Sequence, residues 1–283
     1  KSRSRGLGDV YKRQVSLFDK RAVYDSLLSV LSISLFFGIW EAVSRSSIVN
    51  PLLFPPPTLV AVAFAKWITE GNFFLDVLMS ISRVFVGFTS GTVLGVVTGI
   101  LTGKYKIISN MLSPVFQLLR PIPPIAFVPI VILWFGLSEL GKWFLVFWGV
   151  FFTVWLATHY GVQRADKNLI RAAQCLGTPE RYMMQEVLFP SALPYIMVGL
   201  RSSISISFYT LVAAELAGTF SGIAYRIDIS QQNLQIGQSI AGLVVLGFIS
   251  AIADRLFVFL SKKTVWWSSC LLYTSPSPRD LDL

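Results

Sequence analysis

The stretch VFVGFTSGTVLGVVTGILTG, Val84–Gly103, decides the fold. It runs for twenty residues without a charge. As an α-helix it is about 30 Å long, one hydrocarbon thickness of a bilayer. Lys104 and Lys106 close it. Within it Gly87, Gly91, Gly95, Gly99 and Gly103 recur at every fourth position. Residues four apart share a helix face. In lipid, close packing rather than hydrophobicity holds helices together, so this glycine face predicts an association surface. The pattern leaves open whether the partner is a helix of the same chain or of a second subunit.

Further spans appear on either side. Leu27–Trp40 is apolar and extends through Glu41 to about Ser44. Pro51–Thr58 (PLLFPPPT) reads as a proline-stiffened loop, and the polar stretch Lys66–Asp76 as a cap for the next helix. Ile107–Leu119 is apolar, and Arg120–Pro124 interrupts it. Pro121–Ser138 lacks charge but carries Pro121, Pro123, Pro124 and Pro129, which predicts a broken helix. Such breaks are tolerated at membrane depth where protein or a water-filled path surrounds them. Trp143–Gln163, Val187–Phe220 and Ser239–Leu260 complete six spans, with Gly222–Gly237 as a polar loop.

Composition agrees with this reading. Hydrophobic residues make up 54% of the 283 residues and charged residues 14%, and the mean hydropathy is +0.64. A soluble domain carries about 25% charge. The net charge of +9 does not point to nucleic acid, because the cations alternate between the two ends of the spans. One end collects Lys20, Arg21, Lys104, Lys106, Arg164, Lys167, Arg171, Arg181, Lys262 and Lys263; the other has Arg45, Lys66, Lys142 and Arg226. Cytoplasmic loops hold the excess of Lys and Arg, so both termini are expected in the cytoplasm.

Residues 1–14 (KSRSRGLGDVYKRQ) and 268–283, ending CLLYTSPSPRDLDL, lack helical period and resemble translated adapter sequence. They are expected to be non-native tails around a membrane domain at 15–267. Cys175, Cys270 and the single His159 make neither a disulfide framework nor a metal cluster. No catalytic residue, metal site or cofactor site is expected. Gly136-Leu-Ser-Glu-Leu-Gly141-Lys142 begins like a phosphate-binding loop, but Trp143 stands where Ser or Thr should hold magnesium and no strand precedes it.

Asp166–Pro190 is the most informative segment. Lys167–Leu176 has helical composition, Gly177 suits a C-terminal cap, Thr178 an N-cap and Pro179 a first helical position. Two short helices joined at Gly177–Thr178 are expected between two spans. Tethering to the membrane at both ends argues against a DNA-binding helix-turn-helix and for a docking element. Arg201 and Glu215 lie in an apolar stretch, where ionisable groups are costly and face protein or water. Both are candidates for a translocation path, with a structural ion pair or hydrogen bond as the competing role for each.

Arg171-Ala172-Ala173, Gly177, Val187 and Pro190 follow the spacing of the EAA signature of importer permeases, E-A-A-x3-G-x9-I-x-L-P. Arg171 replaces Glu, and Val187 and Phe189 replace Ile and Leu. Phe54–Thr58 (FPPPT), Ser80–Phe88 (SISRVFVGF), Arg120–Gly136, Phe189–Arg201 and Ala213–Gly218 (AAELAG) resemble the nitrate/sulfonate/taurine branch of these ABC permeases. The resemblance implies an all-α, type I (MetI-like) permease fold in the bacterial inner membrane. It implies a second permease subunit, commonly identical, a cytoplasmic ATP-binding subunit that alone binds ATP, and an extracytoplasmic solute-binding protein. Residues 166–190 would be the coupling helices. The solute would be a small anion such as a sulfonate, taurine or nitrate, or alternatively a thiamine precursor or riboflavin-type molecule. An ion-gradient-driven transporter is the reading from another class. It would need acidic or histidine relays within the spans, where Glu41 and Glu215 are the expected candidates.

Overall fold

The computed structural model describes residues 27–46 and 49–264, so both expected tails lie outside it. The described residues form helices and connections, without strands. Helix α1 is Leu27–Arg45. Then follow α2 (Pro57–Glu70), α3 (Phe73–Lys104), α4 (Lys106–Leu119), a 3-10 turn at Pro124–Phe127, α5 (Val128–Phe135) and α6 (Glu139–Gln163). The chain continues with α7 (Lys167–Cys175), α8 (Glu180–Tyr182), a π-helical stretch at Met183–Leu188, α9 (Phe189–Leu216), α10 (Ile223–Gln232) and α11 (Ile236–Thr264).

Five helices are long and apolar enough to cross a membrane, and the bent pair α4–α5 brings the count to six. The pair turns through 85° between Leu119 and Pro124. Prolines at 121, 123 and 124 remove the backbone donors that a continuous helix needs there. Helix α6 is central, packed between α3 and α9, and half of its most apolar window is buried. Helices α1 and α11 bury almost none of theirs within the chain.

Three expectations from sequence need correction. The polar stretch Lys66–Asp76 is more than a cap for the next helix: α2 is a helix through Glu70, and α3 begins at Phe73, well before Val84. Residues 222–237 contain the helix α10, whose polar composition hid it. The second short helix expected in 166–190 does not stand alone: α8 runs through the π-helical stretch into α9 without a break. Pro190, near the start of α9, falls where a missing backbone donor costs little.

One face of α3 organises the bundle. Asp76, Ser80, Arg83, Gly87, Gly91, Gly95, Gly99 and Thr102 are its buried residues. The polar members hold the α10 end of the bundle, the glycines its middle, and Thr102 the α7 end.

Candidate functional site

The segment 166–190 is built at the end where α3 and α6 finish. Asp166 caps α7, its carboxylate accepting from the Asn168 backbone N–H at 2.8 Å. The helix is strongly amphipathic. Ala173 is buried against Met183 and Leu188, with Ile170 packed beside them. Leu169 and Leu176 point outward, and Leu176 is 84% exposed. Arg171, Ala172 and Cys175 are exposed as well. At Gly177 φ is +72°, the left-handed region that glycine enters freely. There the Thr178 N–H bonds the Ala173 carbonyl at 3.0 Å. The cap of α8 falls at Pro179, one residue after the expected Thr178. Glu180 ties the segment to the end of α3: Lys104 Nζ lies 2.8 Å from its carboxylate.

The signature residues therefore divide. Ala172 and Arg171 face outward and are available to a partner. Ala173 is consumed in packing α7 onto its own chain, so smallness there serves the internal contact. Gly177 is required by backbone conformation, since a Cβ there would meet nothing within 4 Å. Val187 is half-buried and Pro190 partly exposed at the root of α9. Beneath α7 lies a cavity of about 650 Å³ lined by Gly103, Lys104, Ala165 and Gln174 among others.

The glycine face of α3 packs on α6 of the same chain. A Cβ added at Gly87 would fall 2.5 Å from Val146, at Gly91 2.9 Å from Val150, and at Gly95 2.9 Å from Val154. At Gly99 it would fall 2.5 Å from Thr158, and at Gly103 2.7 Å from Val162. Both numberings rise by four together, so the helices run parallel, with a β-branched ridge seated in a glycine groove. At the α7 end the Thr102 hydroxyl meets Trp155 Nε1 at 3.1 Å and His159 Nδ1 at 2.9 Å. His159 is thus a buried structural partner of Thr102.

At the opposite end, charges that the sequence scatters over 140 positions converge. Arg83 is 1% exposed. Its guanidinium reaches Glu215 at 2.9 Å, Glu139 at 2.8 and 2.9 Å, and the Ser221 carbonyl at 2.7 Å. Lys142 donates to Glu139 at 2.8 Å. Glu215 also accepts from Ser80 Oγ at 2.6 Å and from the Ala224 N–H at 2.8 Å. The first N–H groups around α10 end on side chains of α3 and α9: Gly222 on Asp76 at 3.0 Å and Ile223 on Ser80 at 2.9 Å. Carboxylates are favoured at a helix N-terminus, whose backbone donors have no partner within the helix. Gly222 has φ +129°, and a Cβ there would strike the Glu215 carboxylate at 2.5 Å. Glu215 is therefore a buried structural anchor; Ser80 and Arg83 are its unforeseen partners, Glu139 shares Arg83 with it, and Asp76 holds the neighbouring Gly222 N–H.

Arg201 pairs with Asp254 of α11 through two parallel bonds of 3.0 and 3.1 Å. Unlike the Arg83 network this pair is open, with the side chains 46% and 29% exposed. Asp254 is an acidic residue of α11 beyond the two expected candidates, and its guanidinium partner leaves it no resemblance to a free proton relay. Among the described residues no group of three His, Cys, Asp or Glu could hold a metal.

Comparison with known proteins places this architecture. Residues 91–266 match the family described as binding-protein-dependent transport system inner membrane component. A Bacillus subtilis protein named as an aliphatic sulfonates transport permease is 32% identical over 87% of this chain and 90% of its own length. The taurine transport system permease of Escherichia coli is 27% identical over 85% and 89%. The nitrate import permease of Synechocystis is 30% identical over 74% and 76%. Among solved structures, a crystal structure of an amino acid ABC transporter with histidines superposes with a TM-score of 0.57 at 17% identity, covering 73% of this chain and 97% of that one. That likeness concerns the fold.

Proposed function

Because the chain belongs to the binding-protein-dependent transport system inner membrane components, the permease subunits of ABC importers, we propose that it carries a small oxyanion across the inner membrane. The importer class is that of its sulfonate, taurine and nitrate permease relatives, and the membership implies ATP-binding and solute-binding partners. ATP hydrolysis takes place on the separate cytoplasmic subunit. Both termini lie in the cytoplasm, by the excess of cations at the α7 end. Two copies of the chain enclose the path, and the solute-binding protein delivers from the α10 end.

The observation that carries this reading is the outward ridge Leu169–Ala172–Leu176 on α7. An apolar ridge on a polar loop is out of place in water unless a partner covers it. Arg171 flanks it and meets the partner's surface where the signature has a carboxylate, so the partner site must accommodate a cation. Movement of the ATP-binding pair reaches the spans through α8 and the continuous helix α9.

Gly177→Val tests the coupling role. A β-branched residue at φ +72° costs about 1–2 kcal/mol, and it falls outside the spans. The variant is expected to reach the membrane at normal level, while co-purification with the ATP-binding subunit and ATP-driven uptake of an alkanesulfonate both fall at least about tenfold. Uptake at the unaltered rate would overturn the assignment of residues 166–190 to coupling.

A further inference from the structure

Between Val198 and Leu216 the exposed face of α9 is polar where a lipid-facing helix would be apolar. Arg201, Ser202, Ser205 and Tyr209 are all exposed, and Tyr209 is 66% exposed. The depth of this stripe follows from the packing of α9 on α6. Gly161, near the α7 end, meets Ala192 and Tyr195, and Gly149, a dozen residues earlier, meets Thr210. Counted from Tyr195 at about 1.5 Å per residue, Arg201 lies about 9 Å inside, Ser205 about 15 Å and Tyr209 about 21 Å. The stripe thus passes through the middle of an apolar layer about 30 Å thick. Polar side chains at that depth turn to protein or to a water-filled cavity. Tyr209 also lines a cavity of about 150 Å³ with Pro124 and Ile125, at the bend between α4 and α5. Such a break in a spanning helix is itself tolerated only beside protein or water.

At the inner end of the stripe sits the Arg201–Asp254 fork. Two parallel N–H···O bonds to a carboxylate are the geometry in which a guanidinium also takes a sulfonate or another planar or tetrahedral oxyanion. The pair is open to the stripe on both partners, whereas Arg83, which has four oxygen partners, is sealed.

We propose that Arg201 and Asp254 form a counter-ion exchange point on the translocation path. In the empty transporter Asp254 occupies the guanidinium and keeps the site neutral. A solute oxyanion entering along Ser205 and Tyr209 displaces the Asp254 carboxylate from Arg201, and the Ser205 hydroxyl, joined by that of Ser202 when it turns from the Val198 carbonyl, supplies neighbouring hydrogen bonds. When the carboxylate returns, the anion is released toward the α7 end. Asp254 thereby prevents Arg201 from trapping its cargo. This inference rests on the reading of the chain as an oxyanion permease.

The test uses the assembled importer in cells, with ethanesulfonate and nitrate as separate solutes. Arg201→Gln combined with Asp254→Asn keeps the site neutral and retains a hydrogen-bonding pair, so a purely structural role would survive in it. The double variant is expected at normal membrane level with oxyanion uptake reduced at least about tenfold, the loss of one charge-assisted contact. Asp254→Asn alone should lower the half-saturating solute concentration together with the maximal rate, because the anion then leaves slowly. A second measurement reads the path itself. Ser205→Cys, with Cys175 and Cys270 replaced by Ser, should react with an anionic methanethiosulfonate, and more slowly when Arg201→Gln is added. An unreactive Cys at 205 would overturn the water-lined stripe. A double variant that transports oxyanions normally, beside a reactive Cys at 205, would overturn the exchange alone. A wild-type protein that carries uncharged solutes and neither anion would overturn the oxyanion reading and the exchange with it.

Discussion

Arg83→Leu is expected to destabilise the folded permease by about 3–5 kcal/mol, the cost of removing one partner from a buried ion pair. The charges in contact here are Arg83 and Lys142 against Glu139 and Glu215, and they balance. Without the guanidinium, Glu215 keeps its bonds from Ser80 and the Ala224 N–H but loses the cation beside it, and Glu139 keeps Lys142. Water cannot reach Glu215 to compensate, since it is 1% exposed. The Ser221 carbonyl also loses the donor that fixes the turn into α10. Adding Glu215→Gln restores the balance, because Glu139 and Lys142 then remain as a pair. The double variant should recover a substantial part of the loss, and that recovery is the coupling energy of the pair. Thermal unfolding of the detergent-purified protein, followed by the fraction that elutes as a monodisperse species, measures both. A single variant melting with the wild type would remove the network from the account of stability.

That network shows where sequence reading stops. Arg83 stands beside the decisive apolar run, so counting charge-free residues placed the helix boundary there. In the structure the helix begins at Phe73, eleven residues before Val84, and the charge is satisfied by Glu215, 132 positions away. Nothing local marks such a partnership. Helices α2 and α10 escaped for a related reason: they are short, and α10 is polar, so neither shows a span's hydropathy. The broken helix was legible because proline acts on its own backbone. Gly177 was legible as a cap because the requirement for positive φ is equally local. Asp254 sits with Arg255 in an otherwise largely apolar span, and its charge is open to view in the sequence. What the carboxylate does there depends on Arg201, 53 residues earlier, and that pairing is tertiary.

The glycine face lies between these cases. Its period of four was visible, and so was its meaning as a packing groove. The ridge that fills it, Val146, Val150, Val154, Thr158 and Val162, has the same period, but valines in an apolar span do not stand out from their neighbours. With both sides known, Gly95→Leu becomes the second large effect. A Cβ at residue 95 would lie 2.9 Å from Val154 Cβ, 3.0 Å from the Phe151 carbonyl oxygen and 3.1 Å from the Trp155 nitrogen. Two of these three are backbone atoms of α6, so no rotamer change relieves them. The parallel helices must part, and parting them loosens the other four glycine contacts along the same line. The expected cost is at or above the upper end of the roughly 1–3 kcal/mol typical of an overpacked core, with loss of membrane-inserted, monodisperse protein. Val154→Ala should rescue little, since the backbone contacts persist. Gly247→Leu on α11 is the matched control: a Cβ there meets nothing within 4 Å, and the same substitution should leave expression and melting unchanged. Equal tolerance at 95 and 247 would mean that the groove does not hold α3 to α6.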